Sequence, residues 1–234
     1  LQAFRETNLH STVQLARSAQ LAGVRRFIFV STVKVLGEQT TPGRPFRASD
    51  PVQPQDAYAT SKHEAEQALI TLTAGSPMEL VIVRPPLVYG PGVRANFASL
   101  VRAVARGLPL PLGSVHNQRS LVGIDNLVDL LLLCTHHPQA AGQTLLVSDG
   151  QDMSTAELVQ QIAAALGRPA RLLPVPLPWL RLAGRPTGRD AAIQRLCSSL
   201  QVDISATCQQ LGWTPPVSVA EGLRRAVVSP GAAA

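Results

Sequence analysis

The chain has 234 residues, of which 45% are hydrophobic and 15% charged, a balance that excludes a disordered protein and suits one sizeable core, or a main domain with a smaller lobe. The formal net charge is +6, yet the arginines are dispersed, with only Arg25-Arg26 and Arg224-Arg225 adjacent, and aromatic residues for base stacking make up only 4%. A nucleic-acid partner is therefore not expected, and a basic surface that attracts a phosphorylated small molecule is the better reading.

No apolar run reaches the length that crosses a bilayer, and no signal peptide is legible, so no membrane partner is expected. Cys134, Cys197 and Cys208 lack metal-ligand spacing and read as free thiols in a reducing cytoplasm, with no metal site.

Apolar residues at Leu9, Val13, Leu15, Ala16 and Ala19 predict an amphipathic helix over 5–22 that stops at Gly23. Phe27-Ile28-Phe29-Val30 reads as a strand buried on both faces of a parallel sheet. A Gly/Pro/Thr-rich loop over 37–55 precedes a helix over 57–71, and 79–83 is a second buried strand closed by Arg84-Pro85-Pro86. The order helix, strand, helix, strand predicts an α/β fold with a doubly wound parallel sheet. Further helices are expected over 95–106, 125–136, 155–166 and 218–227, and short strands over 119–123 and 144–147. The proline-rich segment 172–179 is expected to wind over the surface, and 229–234 to be a disordered tail. His136-His137, followed by Pro138, read as a helix end.

Lysine and tyrosine are scarce: Lys34, Lys62, Tyr58 and Tyr89 are all there are. Tyr58-Ala59-Thr60-Ser61-Lys62 puts a phenol and an ammonium four apart, on one face if the segment is helical. A neighbouring ammonium lowers a phenol's pKa, so the pair suits proton transfer to or from a sugar hydroxyl. The same spacing also arises by chance on helix surfaces. Ser31-Thr32 follows the first strand, where open α/β sheets bind ligands, and a hydroxyl there suits a proton relay. A strand-end hydroxyl bonded to backbone is the commoner case.

Several stretches in order resemble the extended short-chain dehydrogenase/reductase family: Asn8, Gly23-Val24-Arg25-Arg26-Phe27, Val30-Ser31-Thr32, Gly37, Tyr58-Ala59-Thr60-Ser61-Lys62, Arg84-Pro85-Pro86-Leu87-Val88-Tyr89-Gly90-Pro91, Arg119-Ser120-Leu121-Val122-Gly123-Ile124-Asp125-Asn126 and Leu211-Gly212-Trp213. The match is best with the NAD-dependent epimerase/dehydratase group, in its UDP-hexose 4-epimerase and 4-keto-sugar reductase branch. The resemblance implies a Rossmann-like fold divided into a cofactor domain (1–92) and a mainly substrate-binding lobe (93–228), some segments of which return to the cofactor domain. It implies a catalytic Thr32, Tyr58 and Lys62, with Asn8, Ser31, Tyr58, Lys62 and Pro85 beside NAD, or NADP. It further implies Asn96 and Arg119 on the diphosphate of a UDP-sugar, with Arg195 as a weaker second phosphate clamp, and a homodimer packed through the Tyr58 helix at Ala65, Ala68 and Leu69; Lys34, outside the family pattern, is a further candidate substrate contact.

Three departures stand out. Leu87 replaces a frequent asparagine, and Lys34 stands where the family usually has a small or neutral residue. The GxxGxxG loop that holds the pyrophosphate of NAD is not found, since the first glycine is Gly23 at a helix end. The chain is thus expected to be a fragment lacking the front of the family pattern, and to bind NAD weakly and be inactive alone. The implied activity is NAD-dependent 4-epimerisation of a UDP-hexose or UDP-N-acetylhexosamine. A 4-keto-sugar reductase or dehydrogenase using the same residues, or a catalytically dead remnant, are the alternatives.

Overall fold

The computed structural model of the protein describes residues 1–41, 43–93, 96–184 and 190–228, with the side chains of Asn96, 181–184, 190–192 and Val228 left aside; the expected tail at 229–234 lies outside the described residues. The N-terminal helical stretch comprises α1 (Gln2–Arg5), a π-helical turn at Glu6–His10, and α2 (Ser11–Leu21). It closes at Gly23, whose φ of 74° suits a residue without Cβ. Then follow β1 (Arg26–Val30), a 3₁₀ turn at Val33–Val35, α3 (Ala57–Thr73), β2 (Glu79–Arg84) and β3 (Leu87–Tyr89). The remainder is α4 (Asn96–Ala105), β4 (Leu121–Gly123), α5 (Ile124–His136), β5 (Thr144–Leu146), α6 (Thr155–Ala165), α7 (Leu177–Gly184), α8 (Asp190–Cys197), α9 (Ser205–Leu211) and α10 (Val219–Val228).

Among the described residues, β1, β2 and β5 form a parallel sheet with β2 at its centre, and β3 pairs β4 in parallel. The unbroken apolar run of β2 is explained by its alternation. Leu80 and Ile82 join Ala16, Phe29, Ala65, Leu69 and Met78 under α2 and α3. Val81 and Val83 join Leu127, Leu130, Cys134, Leu211 and Trp213 under α5 and α9. Helices on both faces of a parallel sheet give the doubly wound architecture expected. A further core, with Tyr89, Phe97, Leu100, Leu158, Ile162 and Leu223, lies between α4, α6 and α10.

Two expectations are corrected. Strand β1 is not buried on both faces: Phe29 is buried but Val30 is 36% exposed, because among the described residues β1 pairs only with β2. Ala65 and Leu69, expected on the outer face of the Tyr58 helix, are fully buried in the chain's own core. Their place on α3 is thus unavailable to a second copy. Short elements with little pattern escaped the sequence: β3, α8, α9, and α7, which begins inside the proline-rich stretch.

One buried ion pair fixes α3 to the sheet. Glu66 on α3 and Arg84 at the end of β2 are 0% and 6% exposed, joined by Nε–Oε1 at 2.9 Å and Nη2–Oε2 at 2.6 Å. The forked geometry satisfies both carboxylate oxygens. Removing one partner strands a buried charge, so Arg84→Met is expected to lower unfolding free energy by about 3–5 kcal/mol. The double variant Glu66→Leu/Arg84→Met is expected to recover most of that loss in a denaturant titration.

Candidate active site

The carboxyl end of β1 is stapled to that of β2. The amide of Ser31 donates to Val83 O at 2.7 Å and that of Val33 to Pro85 O at 2.9 Å. Ser31 and Thr32 are thereby held beside Pro85 and Pro86, all four buried, at the edge where open parallel sheets place ligands. Thr32 Oγ1 accepts from the Lys34 amide at 3.3 Å, the local bond of a strand-end hydroxyl. Ser31 Oγ is buried without a hydrogen-bond partner among the described residues.

Tyr58 enters from α3. Asp56 caps that helix, its Oδ1 accepting from the Ala59 amide at 2.7 Å. This puts Tyr58 in the first turn and Lys62 one turn on. The other Asp56 oxygen pairs with the ammonium of Lys34, which also meets Glu38 at 2.8 Å. The cap residue of α3 is thus bonded to the turn that carries Thr32.

Tyr58 is half-buried, with Phe4 edge-on at a centroid distance of 5.9 Å. Burial raises its pKa above the ordinary phenol value; Lys34 opposes that rise and Asp56 adds to it. Helical spacing in the sequence pairs the phenol with Lys62. The Lys62 ammonium instead donates to Val30 O at 2.9 Å and lies 4.6 Å from the centroid of Phe29. Burial holds its pKa below the usual lysine value, against the pull of Glu66.

Asn8 is no helix cap. It sits in the π-helical turn, a feature frequent at functional sites. Its Nδ2 donates to Ser61 Oγ at 3.0 Å, and Ser61 Oγ in turn donates to Tyr58 O at 2.8 Å.

A cleft of about 300 Å³ opens next to this cluster, lined by Thr32, Lys34, Glu38, Pro86, Leu87, Arg119 and Arg195, with Phe97, Leu100 and Leu158 as apolar wall. Arg119 donates to the main-chain carbonyls of Arg195 and Ser198, and burial lowers its pKa. It meets no carboxylate among the described residues. Arg195 is exposed at the same wall. Two guanidiniums with no carboxylate partner among the described residues suit a diphosphate.

Thr32, Lys34, Arg119 and Arg195 thus share the cleft, while Asn8, Ser31, Tyr58, Lys62 and Pro85 do not line it and gather around the ends of β1 and α3. Thr32 belongs to both groups. Asn96 begins α4, and its side chain lies outside the described residues.

Sequence reasoning missed Asp56, Glu38 and Asn117. Asp56 had a signal, an aspartate two residues before a helical tyrosine. Asn117 had none. It is buried, accepts from the Thr155 amide at 2.8 Å and donates to the carbonyls of Leu196 and Ser198, framing Arg119 from behind.

Residues 2–147 match the family model described as the NAD dependent epimerase/dehydratase family. The chain belongs to that family. The UDP-glucose 4-epimerase of Vibrio cholerae is 52% identical over 226 residues, which cover 96% of this chain and 69% of that protein. The N-acetyl-alpha-D-glucosaminyl-diphospho-ditrans,octacis-undecaprenol 4-epimerase of Escherichia coli O157:H7 is 25% identical, with 95% and 70% covered.

Among solved structures, the UDP-glucuronic acid 4-epimerase of Bacillus cereus in complex with NAD superposes with a TM-score of 0.74 at 20% identity, over 93% of this chain and 65% of that one. The UDP-glucose 4-epimerase of Thermotoga maritima with UDP-glucose gives 0.74 at 21% identity, over 95% and 69%. These likenesses show that the epimerase/dehydratase fold is shared. The chain spans under two thirds of the Bacillus cereus protein. Among the described residues, no helix is long and apolar enough to cross a membrane and no cluster of ligating side chains suits a metal.

The Asn8–Ser61 bond joins segments far apart in sequence. Ser61→Ala leaves the Asn8 amide unpaired and is expected to cost about 1 kcal/mol of stability. In a double-mutant cycle with Asn8→Ala, the two losses are expected to be non-additive by a similar amount.

Proposed function

We propose that this chain carries the proton-transfer and substrate-binding machinery of a 4-epimerase acting on a UDP-hexose or UDP-N-acetylhexosamine, with NAD as cofactor. The observation that carries this is the cap of the Tyr58 helix, bonded to the Thr32 turn at the mouth of a cleft with two arginines that meet no carboxylate among the described residues. The 52% identity to a UDP-glucose 4-epimerase supports the substrate class.

The residues present fit NAD. Ser31 Oγ is a buried polar atom without a partner among the described residues, Lys62 and the Pro85 carbonyl lie at the same strand end, and Asn8 is bonded to the first turns of α3 through Ser61. Bound there, NAD supplies the reversible oxidation at C4. In the proposed reaction Tyr58 takes the proton of the C4 hydroxyl and later returns it, with Thr32 as relay. Burial disfavours the phenolate, so before Tyr58 can accept the C4 proton its phenol must release its own proton to solvent, a change that positive charge beside it favours. Arg119, made rigid by two carbonyls, and Arg195 hold the diphosphate, which keeps C4 in reach while the sugar turns over.

The test has two arms. Incubating the protein that carries this chain with UDP-glucose and with UDP-N-acetylglucosamine is expected to yield the 4-epimer, and Tyr58→Phe to lower kcat about 100-fold or more. Calorimetric titration of the chain with UDP is expected to show Arg119→Gln binding about tenfold more weakly. Full turnover by Tyr58→Phe, or equal UDP affinity in Arg119→Gln, would sink the proposal.

A further inference from the structure

Lys34 is an unusual residue to find two positions after the relay hydroxyl, and it does not stand free to meet an anion. Its ammonium is held between Asp56 and Glu38. Its amide donates to Thr32 Oγ1 at 3.3 Å. Asp56, its main partner, caps the helix that presents Tyr58 two residues later. One ion pair thus connects the turn carrying one hydroxyl to the helix end carrying the other.

We infer that the Lys34–Asp56 pair is a positioning device for Tyr58: it locks the Thr32 turn to the first turn of α3, the turn that presents the phenol. Its significance for turnover rests on the reading of Tyr58 as the acid/base, but its geometry does not.

Among the described residues, the charged groups around Tyr58 are few. Lys34 and Asp56 act on the phenol directly. Glu38 contacts both members of the pair, Lys34 and Asp56. On α3 itself, Lys62 is bound to Val30 O, and Glu64 is bound to Arg5 of α1. Phe4 of α1 contributes an uncharged ring edge. Removing Lys34 leaves the phenol beside an uncompensated carboxylate, and removing the Asp56 charge leaves it beside a cation. The two changes push the phenol in opposite directions. A pair with a purely structural role has no such sign.

The chain has two tyrosines, and the second is spectroscopically separable. The Tyr89 hydroxyl donates to Asp149 at 2.7 Å, and burial together with that carboxylate pushes its phenol far above the ordinary value. The first tyrosinate absorbance to appear on raising pH therefore belongs to Tyr58, and Tyr58→Phe identifies it by removing it.

In an ultraviolet titration of the folded chain, Lys34→Met is expected to move that first midpoint up. Asp56→Asn keeps an oxygen for the Ala59 amide and is expected to move it down, while Lys34→Arg stays at the wild-type value. The pH profile of kcat in the NAD-loaded protein is expected to shift with the same signs, with kcat at neutral pH about tenfold lower in Lys34→Met and largely restored in Lys34→Arg. Equal midpoints in wild type and Lys34→Met, or shifts of one sign in Lys34→Met and Asp56→Asn, overturn the proposal. Inactivity of the wild-type protein refutes the epimerase reading and leaves the titration to decide this one.

Discussion

Glu66 and Arg84 are both withdrawn from water, and each satisfies the other's fork. A buried pair of this kind adds little net stability over an apolar isostere, and its value lies in register. Only one placement of α3 along β2 brings the carboxylate onto the guanidinium. Arg84 is followed directly by Pro85 and Pro86, and Glu66 lies one turn beyond Lys62 on α3. Fixing the one against the other sets the distance between the proline shelf and the helix that carries the phenol. The cap at Asp56 then sets the helix's near end. Two ionic contacts, one dry and one at the rim, thus determine where a single aromatic hydroxyl stands.

The sheet contributes the complementary half. Alternation along β2 sends Leu80 and Ile82 to one layer and Val81 and Val83 to the other, so the strand is clamped from both faces. Backbone bonds beyond its end hold Ser31 and Val33. Arg26, at the start of β1, bonds Glu79 and donates to the carbonyls of Cys134 and His137 at the end of α5, a cationic cap that ties the first strand to the opposite layer.

The fold was legible where periodicity was strong. The run over 79–83 and the alternation behind it gave β2, and the 3.6-residue pattern gave α2, α5, α6 and α10. Tyr58 and Lys62 stood out because their residue types are scarce. What stayed hidden is pairwise. Nothing in a sequence says that Glu66 meets Arg84 across 18 positions, or that Asp56, the cap of the Tyr58 helix, pairs with Lys34 22 positions upstream. Helical spacing licensed a Tyr58–Lys62 partnership, but a long flexible ammonium goes to the best acceptor in reach, and that was Val30 O. The inward turn of Ala65 and Leu69 was missed for a related reason: an apolar stripe does not announce which neighbour it covers.

The π-helical turn at Glu6–His10 has a geometric effect on everything before it. One extra residue in a helical turn rotates the upstream face by about 100° relative to a regular helix. Upstream of that turn lie Phe4, edge-on to Tyr58, and Arg5, doubly bonded to Glu64, while Asn8 within it reaches Ser61. Winding the turn back to regular α geometry would swing Phe4 and Arg5 away from α3 together. The irregularity thus works as a phase offset, letting one continuous helix grip its neighbour with two different faces.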